Sequence, residues 1–213
     1  MWSSGPESVT RRIRGVAWSV VLAIAVLAGD RSVEARITRV MFTTVQSPTF
    51  GGTSFDAVGP YEKLAGRAFG EIDPSDPHNG PITDLALAPR NAAGKVEYSM
   101  DVYLLKPVDM SRASGRLFYE GNNRGLKLST AVIDTLTGIF LGNDPTTPAD
   151  AGDGFLMRRG YVIAWSGWDV TVAPGPAALS ITVPVATNPD GSPIVGPSLE
   201  EFVVDAAAPT NHL

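Results

Sequence analysis

Two stretches decide the fold of this chain: residues 115–125, GRLFYEGNNRG, and residues 161–169, YVIAWSGWD. Each contains a short apolar run that stops at a polar loop with glycine. The run 161–165 is apolar at every position, which is typical of a central strand in a parallel sheet, where both faces are buried. We expect two such strands, each ending in a loop where a ligand can approach backbone amides.

The residues between these two strands carry a helix signal. Residues 149–159, ADAGDGFLMRR, contain three consecutive apolar side chains and are followed by Gly160, a residue type that commonly ends helices. Parallel strands need a crossover connection, which is usually a helix. Strand, helix and strand in this order predict one crossover helix, and therefore an α/β chain that is rich in β-structure.

The N-terminal part of the chain predicts antiparallel strands. Residues 37–46, ITRVMFTTVQ, and 61–72, YEKLAGRAFGEI, favour two paired strands with a glycine-containing loop between them. Residues 96–104 alternate between apolar and mostly polar side chains, which indicates a third strand with one buried face. The side chains expected on that buried face are Val96, Tyr98, Met100, Val102 and Leu104.

Two further segments complete the expected fold. Residues 73–90 contain four prolines, so we expect a surface excursion there rather than a long helix. Near the C-terminus, the runs 179–186 and 194–204 flank the turn sequence NPDG at 188–191. This arrangement predicts a C-terminal hairpin.

The composition bounds the class of protein. The chain has 213 residues, of which 44% are hydrophobic and 18% charged, so it is long and apolar enough to bury one sizeable core. Cysteine is absent, which excludes disulfides, thiolate catalysis and cysteine-ligated metal sites. The formal net charge is −5, and no basic stripe interleaved with aromatic residues follows the leader, so we expect no nucleic-acid partner.

Residues 1–35 have the layout of a secretory signal peptide. Three arginines at positions 11, 12 and 14 precede the apolar run 16–29, which is shorter than a membrane span requires. We expect cleavage after Ala35, or alternatively after Ala28, and an exported mature chain of residues 36–213 without a stable membrane span. The alternative interpretation is an uncleaved single-span anchor.

Four stretches together resemble a bacterial, exported α/β-hydrolase-domain family: 47–52 (SPTFGG), 119–125 (YEGNNRG), 154–169 and 183–191 (VPVATNPDG). The resemblance implies that residues 36–213 are the incomplete N-terminal part of an α/β-hydrolase-like domain. It further implies a partial hydrolase-like sheet and, for the complete protein, esterase or acyl-hydrolase activity on a small ester-like substrate, with no cofactor.

A catalytic triad is not recognisable in this chain. A nucleophilic serine needs a G-x-S-x-G elbow, and Ser166 comes nearest, but Ala164 and Trp168 stand where the elbow requires glycine. The only histidines are His78, in the proline-rich excursion, and His212, the penultimate residue. We therefore predict that the chain by itself is inactive as a hydrolase.

The loop 121–125 is the candidate oxyanion loop. Its backbone amides, with Asn122 or Asn123, can stabilise an oxyanion if a nucleophile is supplied from elsewhere. The resemblance places this loop beside the active site and makes Gly121, Asn122, Asn123 and Gly125 the candidate residues. The alternative is a tight turn with a structural arginine.

Other functions remain open at this point. The oxygen-bearing side chains of Asn143, Asp144, Asp150 and Asp153 match no EF-hand spacing, so we expect a loop leading into a helix rather than a calcium site. A non-catalytic binding or structural module, with Tyr161, Trp165 and Trp168 contacting a ligand such as a glycan, is one alternative function. A truncated product without independent function is another.

Overall fold

The computed structural model describes residues 35–129, 133, 143–176 and 178–197. The expected signal peptide lies outside the described residues except for its last position, Ala35, and therefore stays a prediction. His212 and residues 198–204 of the expected C-terminal hairpin also lie outside them.

Seven strands form a mixed sheet, with few helical residues. The main path has the order β1-β3-β4-β6-β5, while β2 pairs with β3 and β7 with β4. The strands are β1 (Arg36–Gln46), β2 (Ser54–Phe55), β3 (Gly59–Ile72), β4 (Val96–Pro107), β5 (Leu117–Glu120), β6 (Val162–Ser166) and β7 (Ile181–Thr182). The helical segments that lie wholly within the described ranges are the α-helix Phe155–Arg158 and the 3-10 helices Phe50–Gly52, Pro77–Asn79, Leu85–Leu87, Met110–Arg112 and Pro148–Ala151.

The three N-terminal strands confirm the expected antiparallel arrangement. β1 pairs with β3 from Arg36 opposite Glu71 to Gln46 opposite Lys63. β3 then pairs with β4 along its whole length, without a register shift. These long strands make β4 the central strand of the sheet, because β6 and β7 pair with its other edge.

The expected crossover unit is visible in part. β5 and β6 are parallel and neighbouring, with Glu120 opposite Trp165, and the α-helix Phe155–Arg158 lies in the connection between them. The helix is shorter than the predicted 149–159. Gly154 adopts a left-handed conformation with φ of 69°, so the chain turns there before the helix begins. A Cβ at this position would lie 2.8 Å from the Phe55 ring, which leaves no space for a side chain.

The buried face of β4 differs from the expected one. Val96 is buried as predicted, but the core includes Tyr103, which belongs to the row expected to be mostly polar, and Leu105, which continues that row beyond the predicted strand. Leu104 is only partly buried. The core packs on this other face because Tyr103 stands opposite Trp165, whose ring it contacts edge-on at 5.6 Å between centroids. The core cluster also contains Phe50, Phe55, Val58, Tyr61, Ala151, Leu156, Met157, Ile163 and Leu179.

Two peripheral predictions have separate outcomes. Residues 73–90 form a loop excursion with two short 3-10 helices, as expected. The C-terminal hairpin is seen only in part: Thr187 bridges to Pro193 across the predicted turn, but β7 pairs with β4 rather than with a following strand. In the described ranges, no helix has the length and apolar character of a membrane span.

The choice of buried face can be tested by truncating neighbouring leucines. Leu105→Ala removes a fully buried side chain and should lower the free energy of unfolding by about 2–5 kcal/mol. Leu104→Ala, its matched control on the partly exposed face, should lower it by about 1 kcal/mol. Urea denaturation followed by tryptophan fluorescence measures both changes. A larger effect of Leu104→Ala would contradict the observed burial pattern.

Candidate functional site

The loops that follow β5 and β6 meet at one edge of the sheet. We call residues 121–125 and 166–169 the loop junction. The Asn122 side-chain amide donates to the Ser166 carbonyl at 2.7 Å, and the Trp168 indole donates to the Asn122 carbonyl at 2.8 Å. Arg124 forms an ion pair with Asp169 at 2.9 Å. The junction is therefore joined by contacts between the two loops.

Asn122 and Gly125 fix the shape of the first loop. The Asn122 side chain is 2% exposed, and its oxygen accepts a hydrogen bond from the Gly125 N–H at 2.7 Å. Gly125 has a φ of 86°, and a Cβ there would lie 2.6 Å from the Leu179 carbonyl oxygen. Only glycine fits this position, since both the conformation and the space exclude a side chain.

These contacts decide which donors of the candidate oxyanion loop are engaged. The N–H groups of Asn123 and Gly125 and the Asn122 side-chain amide all donate within the protein. Within the described part of the chain, the N–H groups of Gly121 and Asn122 have no acceptor, and the exposed Asn123 side chain has no partner. Those donors are the ones left to bind a ligand oxygen, and the oxyanion role itself stays a prediction.

Ser166 is not arranged as a nucleophile by its described neighbours. Its hydroxyl oxygen lies 2.8 Å from the Tyr119 hydroxyl, so its hydrogen-bond partner is a phenol rather than a histidine. His78 lies on the 3-10 helix Pro77–Asn79, where its Nδ1 is 2.8 Å from the Asp76 carboxylate. A serine nucleophile needs an adjacent base such as histidine, and the hydrogen-bond partner seen here is not one.

The aromatic residues considered as ligand contacts are not equally available. Trp165 is 1% exposed and packs on Tyr103 in the core. Trp168 is 52% exposed, and Tyr161 is half-buried with its carbonyl accepting a hydrogen bond from Tyr61. Trp168 alone of these three is free to offer a ring face to a ligand.

A second polar group, which we call the lysine cluster, consists of Lys63, Tyr103, Lys127 and Asp144. All four line a cavity of about 300 Å³ on the core side of the sheet. Lys63 Nζ lies 2.7 and 2.8 Å from the two carboxylate oxygens of Asp144, and the Tyr103 hydroxyl donates to one of them at 2.7 Å. Burial raises the pKa of Asp144, but the hydrogen bonds from Lys63 and Tyr103 outweigh it, so the pKa is lowered.

Lys127 has different surroundings from Lys63. It is 3% exposed, its ammonium lies 3.9 Å from the centroid of the Tyr103 ring, and it donates to the Asn143 carbonyl. Burial lowers the pKa of Lys127 to about 8; Asp144 opposes this shift and the charge of Lys63 adds to it. Burial and the bond to Asp144 raise the pKa of Tyr103, which therefore stays protonated.

The four residues considered for calcium serve four different purposes. Asn143 accepts from the Lys127 N–H, and Asp144 pairs with Lys63. Asp150 accepts from the backbone of residues 146 and 147, and Asp153 from the Phe155 N–H. Among the described ranges, no group of three or more acidic or histidine side chains is placed to hold a metal.

Sequence reasoning missed the lysine cluster. Lys63 did carry a signal, because it alternates with Tyr61 and Ala65 on one face of a predicted strand, where a lysine implies a buried partner. Lys127 carried none, since it follows an irregular loop and its contacts come from residues far away in the sequence.

The role of Asn122 can be tested against its neighbour. Asn122→Ala removes the side-chain hydrogen bond to the Ser166 carbonyl and leaves the Gly125 N–H buried without an acceptor, so we expect a loss of about 1–3 kcal/mol in unfolding free energy. Asn123→Ala, at the exposed neighbouring position, should change it by less than about 0.5 kcal/mol. Chemical denaturation compares the two; equal losses would refute the anchoring role.

Comparison of the chain with protein-family models, with curated protein sequences and with solved structures finds no match in any of the three.

Proposed function

We propose that this chain supplies the sheet and the oxyanion-side loop of an exported α/β-hydrolase-like protein of the esterase or acyl-hydrolase type. One observation carries the proposal: the parallel strands β5 and β6 bring their following loops together at the loop junction. Ligands of α/β proteins bind outside the carboxyl ends of parallel strands, which is where this junction lies.

The donors at the junction suit an acyl substrate. In ester hydrolysis the carbonyl oxygen becomes negatively charged, and backbone N–H groups aimed at it stabilise that charge. The N–H groups of Gly121 and Asn122 have no acceptor among the described residues, and the Asn122 side chain fixes the loop that carries them. Under the proposal they bind the carbonyl oxygen of a small ester.

The nucleophile and its base belong to residues outside the described ranges. Acyl transfer by serine requires a base within hydrogen-bond reach, and Ser166 has Tyr119 in that position. The scaffold is therefore proposed to orient the substrate, and not to break its bond.

We expect the 213-residue chain alone to hydrolyse activated short-chain esters no faster than background. The assay compares the wild-type chain with Ser166→Ala, each with and without a chelator. Turnover lost in Ser166→Ala would contradict the scaffold role, and turnover lost only with chelator would reveal a metal site instead.

A second sample in the same experiment tests whether the complete protein is a hydrolase. Protein isolated from the cells that produce this segment should hydrolyse the esters, and a fluorophosphonate should label a serine outside residues 35–129 and 143–197. Neither turnover nor labelling in that sample would contradict the hydrolase proposal.

Export is the second part of the proposal. N-terminal sequencing of the protein recovered outside the cytoplasm should find Arg36 as the first residue, or Gly29 if the earlier site is cleaved. An intact N-terminus beginning at Met1 would contradict removal of the leader.

A further inference from the structure

Lys127 differs from the other lysines of the chain. There are four lysines, and all of them lie in the described ranges. Three form ion pairs with carboxylates: Lys63 with Asp144, Lys95 with Asp73, and Lys106 with Glu62. Within the described residues, Lys127 has no carboxylate at ion-pair distance, although it is the most deeply buried of the four.

The contacts of the Lys127 amine leave its charge only partly compensated. The amine donates to the Asn143 carbonyl and lies over the rings of Tyr103 and Trp165, at 3.9 and 5.8 Å from their centroids. The nearby Lys63 adds a like charge. A desolvated amine beside a second cation is the environment in which proteins use lysine as a nucleophile.

The cavity gives a small molecule a place beside this amine. Its volume of about 300 Å³ lies at the lower end of the range for ligand pockets. Apolar groups from Ala65 and Leu179 and the Arg67–Asp101 ion pair line it together with the lysine cluster. A short aliphatic chain and one polar group match such a lining.

We propose that Lys127 is a nucleophilic amine that forms an imine with a small aldehyde or ketone bound in this cavity. This site is separate from the loop junction, and the proposal does not depend on the hydrolase function.

Imine formation between Lys127 and the carbonyl compound needs no added oxidant or reductant. The neutral Nζ attacks the carbonyl carbon, a C–N bond forms, and the carbonyl electrons move to oxygen. Two protons pass from nitrogen to that oxygen, which leaves as water while the C=N bond forms. The Tyr103 hydroxyl, which donates to Asp144 at 2.7 Å in the same cavity, is the group proposed to relay these protons.

Reductive trapping tests the proposal on the full chain. The chain is incubated at neutral pH with propanal and cyanoborohydride, which converts an imine into a stable propylamine, and peptide mass spectrometry locates the label. Lys127 should be labelled about tenfold or more faster than Lys63, Lys95 or Lys106. A rate at Lys127 no higher than at the ion-paired lysines would overturn the proposal.

A polymer-bound aldehyde separates reaction in the cavity from reaction at the surface. It cannot enter a cavity of this size, so it should leave Lys127 unlabelled while it labels the more exposed Lys95 and Lys106. Labelling of Lys127 as fast as with propanal would show that no cavity site is involved.

The pH profile gives a readout that a structural lysine would not show. Lys63 from β3, Tyr103 from β4, Glu120 from β5 and Asp144 act on the amine, and the ion pair of Arg67 with Asp101 lines the same cavity. Because the lowered pKa of about 8 sets its neutral fraction, the labelling rate at Lys127 should rise with pH and level off above about 8. A rate that keeps rising to the ordinary lysine value near 10.4 would contradict the proposal.

Two arginine variants complete the design. Lys127→Arg keeps a cation over the Tyr103 ring but removes the nucleophile, so the fast labelling should disappear while the far-ultraviolet circular dichroism spectrum is unchanged. Lys106→Arg, the matched control at an ion-paired lysine, should keep the fast labelling of Lys127. If Lys127→Arg does not fold, the proposal is decided by two measurements on the wild-type chain: the labelling rates of the four lysines and the pH profile at Lys127.

Discussion

The carboxylate of Glu120 is the contact on which both candidate sites depend. It stands at the end of β5 and accepts hydrogen bonds from the Trp165 indole on β6 and from the N–H groups of Leu128 and Ser129, the latter two at 2.6 and 2.9 Å. One side chain thereby joins the two parallel strands to the far end of the loop that follows β5. That loop contains Asn122 and Lys127, so their positions follow from this contact.

The two sites solve the problem of buried polar groups in different ways. At the loop junction, the Asn122 side chain makes both of its hydrogen bonds to backbone groups, which fixes the turn and leaves no charge to compensate. In the lysine cluster, Lys63 and Asp144 compensate each other, whereas Lys127 has a carbonyl and aromatic faces in place of a carboxylate. An amine held in this way loses its proton more readily than an ordinary lysine, because burial penalises the charge more than its neighbours stabilise it.

The sequence predicted the parts of the fold that depend on local pattern. The antiparallel pair β1–β3, the strand β4 and the parallel pair β5–β6 follow from alternation and from the strand–helix–strand order. The prediction of which face of β4 is buried was wrong for the second half of the strand. Alternation identifies the two faces, but packing against Trp165 decides which of them is buried. The location of the loop junction could be predicted, because both loops directly follow predicted strands. The lysine cluster could not, since it joins residues that are far apart in the chain, such as Lys63 and Lys127, which are separated by 64 positions.

Asn143 connects the two sites, although the sequence predicted no more than a loop leading into a helix there. Its side-chain amide donates to the Gly125 carbonyl at 2.8 Å, and its side-chain oxygen accepts from the Lys127 N–H at 2.8 Å. Its own carbonyl accepts from the Lys127 amine. Because an imine nitrogen has at most one proton to donate where an ammonium has three, imine formation would weaken that contact and thus the link to the loop that carries the oxyanion candidates. Through Asn143, imine formation at Lys127 would therefore act directly on the loop 121–125 at the edge of the sheet.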